Sequence, residues 1–278
     1  MKVQFAKSVE AYVELVEKKL LKKEACNNLI LGILERLKQN NEGAYYLGWV
    51  EKDKELLFPF MQTAPNNWVL PDLEQFVGEE VIRVAVKQIW DQGMEVPGVI
   101  GPEQYATIFA KEWEDITGNQ PVVHMQEWIY QLDAVNQVQQ DGELVIAQEK
   151  DLSLLIRWLQ QFGEEAGEKI TEKQAEAIAR RNINQHSAFL WQVGKHYVSM
   201  ANRSRTTKNG ATINAVFTPD QHKEKGYATS LVAALSQQLL DSGYPFCSLY
   251  TDTSNPISNH VYQKIGYYKV GSAIVYSF

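Results

Sequence analysis

Two lysines, a glycine and the start of an apolar helical pattern sit together at Lys223-Glu224-Lys225-Gly226-Tyr227-Ala228. Residues of these types in this order can hold an anion. Unpaired amides of a first helical turn point outward, the positive end of the helix dipole favours phosphate, and lysines add charge. Each charge–dipole contact contributes roughly 0.3–1 kcal/mol, so several amides must converge for useful affinity. The flanking residues fit such a site. Ile213, Ala215, Val216 and Phe217 read as a buried strand that Pro219 ends. Ala228, Leu231, Val232, Leu235 and Leu239 fall at i, i+3, i+4 spacing and give a helix one core face, stopped by Ser242-Gly243 before Pro245. The five histidines, His124, His186, His196, His222 and His260, show no ligand spacing, so no metal is expected. Walker, dinucleotide and nucleophile-elbow patterns are absent.

The run Lys223-Glu-Lys-Gly226-Tyr-Ala228 resembles the Arg/Gln-x-x-Gly-x-Gly/Ala motif of the GNAT superfamily of acetyl-CoA-dependent N-acetyltransferases. Downstream, Asn255-Pro-Ile-Ser258-Asn-His-Val261-Tyr262-Gln-Lys-Ile-Gly266-Tyr267 is similar to a second motif of that family, Asn-x-x-Ala-x-x-Leu-Tyr-x-x-x-Gly-Phe. Lys223 departs from the usual Arg or Gln and offers a point charge without a bidentate fork.

The resemblance implies a cofactor site. Pantetheine would lie between the strand 213–218 and the strand 246–252, pairing with backbone of Val216, Phe217 and Thr218. Lys223 and Glu224 belong to the phosphate loop, and the amides of Lys225, Gly226, Tyr227, Ala228 and Thr229 would hold the pyrophosphate. Asn255 would hydrogen-bond the pantetheine arm, with Ser258 and Asn259 beside it in the motif. Tyr262 stands where the family has its general acid, protonating the departing thiolate; a positioned acid is typically worth 10²–10⁴ in rate. An amine acceptor of pKa about 10.4 is neutral in roughly one molecule in 2,500 at pH 7, so a base is needed. Asp252, His196, Glu127 and a water relay all qualify, and no motif selects among them.

Composition sets the frame. The chain has 278 residues, 45% hydrophobic and 11% aromatic, enough for one large domain or two modest ones. A net charge of −7 argues against wrapping nucleic acid, and no run approaches membrane-spanning length. Cys26 and Cys247 have no paired spacing and read as buried thiols of a cytoplasmic protein. Arg203, Arg205 and Lys208 form a solvated hairpin tip or meet an anionic substrate.

The pattern predicts helices over 7–38, stopped at Asn40-Asn41-Glu42-Gly43, strands over 44–50 and 56–62, and a third strand at 68–70. A helix over 79–92, a strand over 96–100 and a helix entered through Pro102 follow. Past Gly118–Pro121 come a strand over 125–132, a helix capped by Asp151, and a second helix opened by the capping box Thr171-Glu-Lys-Gln174. Strands over 186–193 and 196–203 flank a II′ turn at Gly194-Lys195, and a closing hairpin pairs Tyr267–Val270 with Ala273–Phe278. The expected fold is α/β (α+β), two tandem GNAT-like domains, each a mixed central sheet flanked by helices. Residues 1–121 form a degenerate copy without a CoA loop, or an unrelated α/β domain, and residues 122–278 the acetyltransferase domain. Asp72–Glu80 is acidic where a phosphate loop would sit. The expected activity is acetyl transfer from acetyl-CoA to a primary amine by direct attack in a ternary complex; the alternative is a CoA-binding regulatory or scaffold module without turnover.

Overall fold

A computed structural model describes residues 1–40, 43–139 and 141–278. It divides into two compact units. The first comprises Met1–Ile129, Thr251–Ser254 and Lys269–Phe278; the second comprises Tyr130–Tyr250 and Asn255–Tyr268. The first unit thus runs past the 121/122 boundary and takes in the last strand of the chain.

The first unit runs β1 (Lys2–Phe5), α1 (Val9–Leu20), α2 (Asn28–Gln39), β2 (Tyr45–Lys52), β3 (Glu55–Thr63), β4 (Trp68–Val69), α3 (Glu79–Asp91), β5 (Gly98–Gly101) and α4 (Glu103–Thr117). Strand β6 (Val122–Leu132) leads out of it. The second unit runs β7 (Glu143–Ile146), α5 (Leu152–Glu165), α6 (Glu172–Asn184), β8 (Ala188–Val193), β9 (His196–Thr206), β10 (Gly210–Phe217), α7 (Tyr227–Asp241), β11 (Phe246–Asp252) and α8 (Pro256–Ile265). Strand β12 (Tyr268–Ser277) returns the chain to the first unit.

The two successions match element for element, and so does their pairing. In the first unit β1, β2, β3 and β4 pair antiparallel in order and β4 pairs parallel with β5. In the second, β7, β8, β9 and β10 do the same, and β10 pairs parallel with β11. The strands of each unit are covered by that unit's helices. Phe58, Phe60, Trp68, Ile82, Tyr105 and Phe109 fill one core of the first unit, with Ile274 of β12 among them. Leu155, Trp158, Leu159, Leu190, Met200 and Phe217 fill a core under α5 and α6 in the second, the counterpart of the α1–α2 core of Tyr12, Val16, Leu20, Ile30 and Leu34 in the first. Full burial of one such side chain is worth about 1.5–3 kcal/mol, so these cores hold the strand ends in place.

Several details differ from the sequence pattern. The expected closing hairpin is one continuous strand, β12, antiparallel to β5. Gly271 does not turn the chain; it lets the backbone pass close to the Cys26 thiol, which an added Cβ would strike. Strands β1 and β7, four residues each, were too short to raise an alternating signal. Asp151 precedes α5 but does not cap it, because its carboxylate accepts from the Gln148 amide in the preceding 3₁₀ turn. The box at Thr171 and Gln174 forms as expected. At the β8–β9 turn Gly194 alone adopts positive φ, 60°, as a II′ turn requires. Helix α2 ends before Asn40; Asn41 and Glu42 of its predicted stop lie outside the described residues.

Candidate functional site

The strand that leads to the anion loop is broken in two ways. Its parallel pairing with β11 runs from Gly210↔Phe246 to Thr212↔Ser248, where the two hydroxyls meet at 2.9 Å, and ends there among the described residues. On its other edge the register with β9 jumps between Asn214↔Asn202 and Phe217↔Met200, leaving Ala215 and Val216 as a bulge. Ala215 carries a left-handed φ of 49°. A bulge of this kind re-aims backbone groups that a regular ladder would consume. Sequence inspection gave no warning of it, since alanine is not a residue that favours positive φ. Val216 therefore stands where β10 parts from its neighbours. Phe217 and Thr218 are bound more tightly to β9. The Ser199 hydroxyl donates to the Phe217 carbonyl at 2.9 Å and lies 2.8 Å from the Thr218 hydroxyl. The Phe217 ring is buried against Trp158.

After Pro219 a 3₁₀ turn at Asp220–His222 carries the chain into the loop. Glu224 at φ 63° and Gly226 at φ 79° reverse it into α7. No side chain caps that helix, no acidic residue occupies its first turn, and a Cβ at Gly226 would meet nothing within 4 Å. The first intrahelical bond runs from the Ser230 amide to the Gly226 carbonyl at 3.0 Å. The amides of Tyr227, Ala228 and Thr229 thus precede the helical ladder and face outward at the positive end of the helix. Ser230 secures the turn, its hydroxyl donating to the Gln139 carbonyl at 3.0 Å.

The loop's lysines are placed differently from expectation. Lys223 Nζ lies 2.8 Å from Asp220 and 2.6 Å from Glu165 at the end of α5, and both carboxylates, Asp220 first, raise its pKa. Its charge is committed to holding the loop. Lys225 Nζ donates to the Gln221 carbonyl at 3.1 Å. The anion site is therefore built from backbone amides more than from side-chain charge.

Helix α8 supplies the second motif. Asn255 is its N-cap: the side-chain oxygen accepts from the Ser258 amide at 3.0 Å, and the backbone carbonyl accepts from Asn259 Nδ2 at 2.7 Å. The asparagine expected on the pantetheine arm, with Ser258 and Asn259 beside it, is thus also what starts this helix after Pro256 is placed in its first turn. Gly266 ends the helix at φ 114°, where a Cβ would press on the Ala134 carbonyl. Between them Tyr262 is buried beside Tyr130 and Tyr267, and burial pushes its phenol up to about 12. It is fully protonated at neutral pH. Among the base candidates, the Asp252 carboxylate accepts from both the amide and the hydroxyl of Ser254 at 2.7 Å, an Asx turn. His196 lies away from this motif, near His222.

An acyl-CoA fits these residues in three respects: an open strand junction, a bulge that exposes backbone, and an uncapped helix start with free space over its glycine.

A family model described as FR47-like protein matches residues 193–275. No curated protein matches the sequence. Among solved structures, a GNAT-family acetyltransferase from Colwellia psychrerythraea is similar over 100% of this chain and 99% of its own, at 12% identity and a TM-score of 0.62. A Drosophila protein is similar over 99% of this chain and 98% of its own, at 10% identity and a TM-score of 0.69. A tandem GNAT protein from the clavulanic acid biosynthesis pathway, solved without AcCoA, is similar over 100% of this chain and 98% of its own, at 11% identity and a TM-score of 0.59. At these identities the likeness is one of fold. The chain carries a mixed α/β fold like that of the tandem GNAT protein, with two matching successions of elements.

Proposed function

We propose that the second unit binds acetyl-CoA and transfers its acetyl group to a primary amine by direct attack in a ternary complex. One observation carries this reading. The open β10–β11 junction, the bulge at Ala215–Val216 and the uncapped start of α7 follow one another along a single strand–loop–helix. The thioester supplies the activated acyl group and a thiolate leaving group. Backbone of Val216 orients the pantetheine arm, and the amides of Tyr227, Ala228 and Thr229 receive the pyrophosphate. Tyr262 holds its proton at neutral pH and delivers it at the phenolic oxygen to the departing sulfur. Proton removal from the amine falls to Asp252, His196, Glu127 or a water relay, with the Asp252 carboxylate already accepting from Ser254. The proposed setting is cytoplasmic.

A second reading, CoA binding without turnover, draws on that same engagement of Asp252. Calorimetric titration with acetyl-CoA, followed by thiol release across a panel of amines, tests both. Binding at micromolar concentration with steady thiol release supports the transferase. Binding without release from any amine supports the regulatory module, and no binding at hundreds of micromolar overturns both.

A further inference from the structure

The second unit holds a cavity of about 390 Å³ whose lining includes none of the residues assigned to the acyl-CoA. Leu154, Arg157, Trp158 and Gln161 enter it at i, i+3, i+4 and i+7 spacing, one face of α5. His196 and Tyr197 at the start of β9 form a second wall, and the turn Pro219–His222 closes the third. The two β9 residues in its lining belong to the neighbour of β10 on the edge away from β11.

Its chemistry is uneven in an informative way. Leu154, Trp158, Tyr197 and Pro219 offer apolar surface, while Arg157 brings a permanent cation and no carboxylate lines the space. Arg83 and Arg180 are each paired with two glutamates; Arg157 makes no ion pair among the described residues. Asp220 within the turn and Glu165 at the end of α5 are both paired with Lys223. The side-chain amides of Gln161 and Gln221 also line the space and add neutral donors. His222 is held below its ordinary value by burial, then by Lys225 and His196, so it adds a hydrogen-bonding ring and not a second charge at neutral pH. A cavity of about 150 Å³ accommodates a benzene ring, so this one has room for a ring and a short chain.

We propose that this cavity binds a small monocarboxylate with an apolar or aromatic body, its carboxylate on Arg157 and its body against Trp158 and Pro219. One cation and two amides suit a single carboxylate; a phosphate dianion would lack a second charge. The site is independent of whether the second unit turns over acetyl-CoA.

The test uses the full chain, with 3-phenylpropionate and its neutral isostere 3-phenylpropanamide as probes, followed by the Trp158 indole signal in NMR titrations. The carboxylate should bind at least about tenfold more tightly than the amide. Arg157→Gln should bring the two to parity, and Gln161→Glu should weaken only the carboxylate. Saturating CoA should leave both affinities unchanged. Equal binding of the two probes to the unaltered protein, discrimination that survives Arg157→Gln, no shift up to about 10 mM, or displacement by CoA would each overturn the proposal. Acetyl-CoA titration of Arg157→Gln, expected to match the unaltered protein, keeps this result separate from the cofactor reading.

Discussion

Helices α3 and α7 hold the same position in the two units, each following the strand that starts the parallel step of its sheet. Their N-termini are finished in opposite ways. Before α3, the loop is stitched inward: the Asp72 amide donates to Asn27 Oδ1, the Val77 amide to the Tyr105 hydroxyl, and the Asp72 carboxylate pairs with Lys23. Glu79 and Glu80 occupy the first turn, and the Glu80 carboxylate curls back over Gly78, where an added Cβ would collide with it. The anion position of α3 is taken by the protein itself. Neither helix has a side-chain cap, but before α7 no acidic residue occupies the first turn and nothing stands over Gly226. The same scaffold thus carries one helix start that its own carboxylates cover and one that they leave open.

The sharpest way to break this contrast is to give α7 what α3 has. Gly226→Glu should abolish acetyl-CoA binding, a loss of at least about 100-fold by calorimetry, with the far-ultraviolet spectrum retained. The left-handed φ alone costs a side chain about 1–2 kcal/mol, so Gly226→Ala serves as control and should bind more weakly but measurably. In the reverse direction, Glu79→Gln with Glu80→Gln should leave stoichiometry at one site per chain, because the Asp72–Val77 loop remains filled; a second site would sink the comparison. Next in size, Tyr262→Phe should lower kcat by roughly 10²–10⁴ with little change in the KM for acetyl-CoA. Unchanged kcat would remove Tyr262 from the chemistry.

Alkali should affect the two units alike. Cys26 and Cys247 are pushed up to about 12 by burial, as is Tyr262. Raised folded values mean that the protonated groups stabilise the fold fully below the unfolded values, about 9 for thiols and about 10 for phenols, and that this stability is lost as pH rises toward 12. Denaturant midpoints should hold steady to about pH 9 and then fall, and replacing both cysteines with alanine should delay the onset to about pH 10. The smallest effect is expected at Lys223→Met. With its charge shared between two exposed carboxylates, the change should weaken acetyl-CoA binding by no more than about threefold. A loss above tenfold would show that Lys223 leaves Asp220 and Glu165 for the phosphates.

Much of this was legible in the chain. Helix stripes such as Val9, Tyr12, Val13, Val16 and Leu20 report burial directly, and all five are buried. The two motifs mark helix starts, at Gly226 and at Asn255, because both demand unusual residues. What escaped were features set by distant partners. The bulge at Ala215 depends on the register against β9, and the commitment of Lys223 depends on Glu165, 58 residues away. The wall of the α5 cavity was hidden because Leu154 and Trp158 adjoin the core stripe of Leu155 and Leu159 and continue its period.

The place of β12 also orders events in time. The first unit's core includes Ile274, and its strand β5 finds its antiparallel partner in residues that follow Ile129 only after the 139 residues from 130 to 268. At about 5–20 residues per second, that interval on the ribosome lasts about 7–28 s, during which β5 stands as an open edge. The unit made first is therefore completed last, and a nascent chain stalled before Lys269 would present that edge to whatever lies near it.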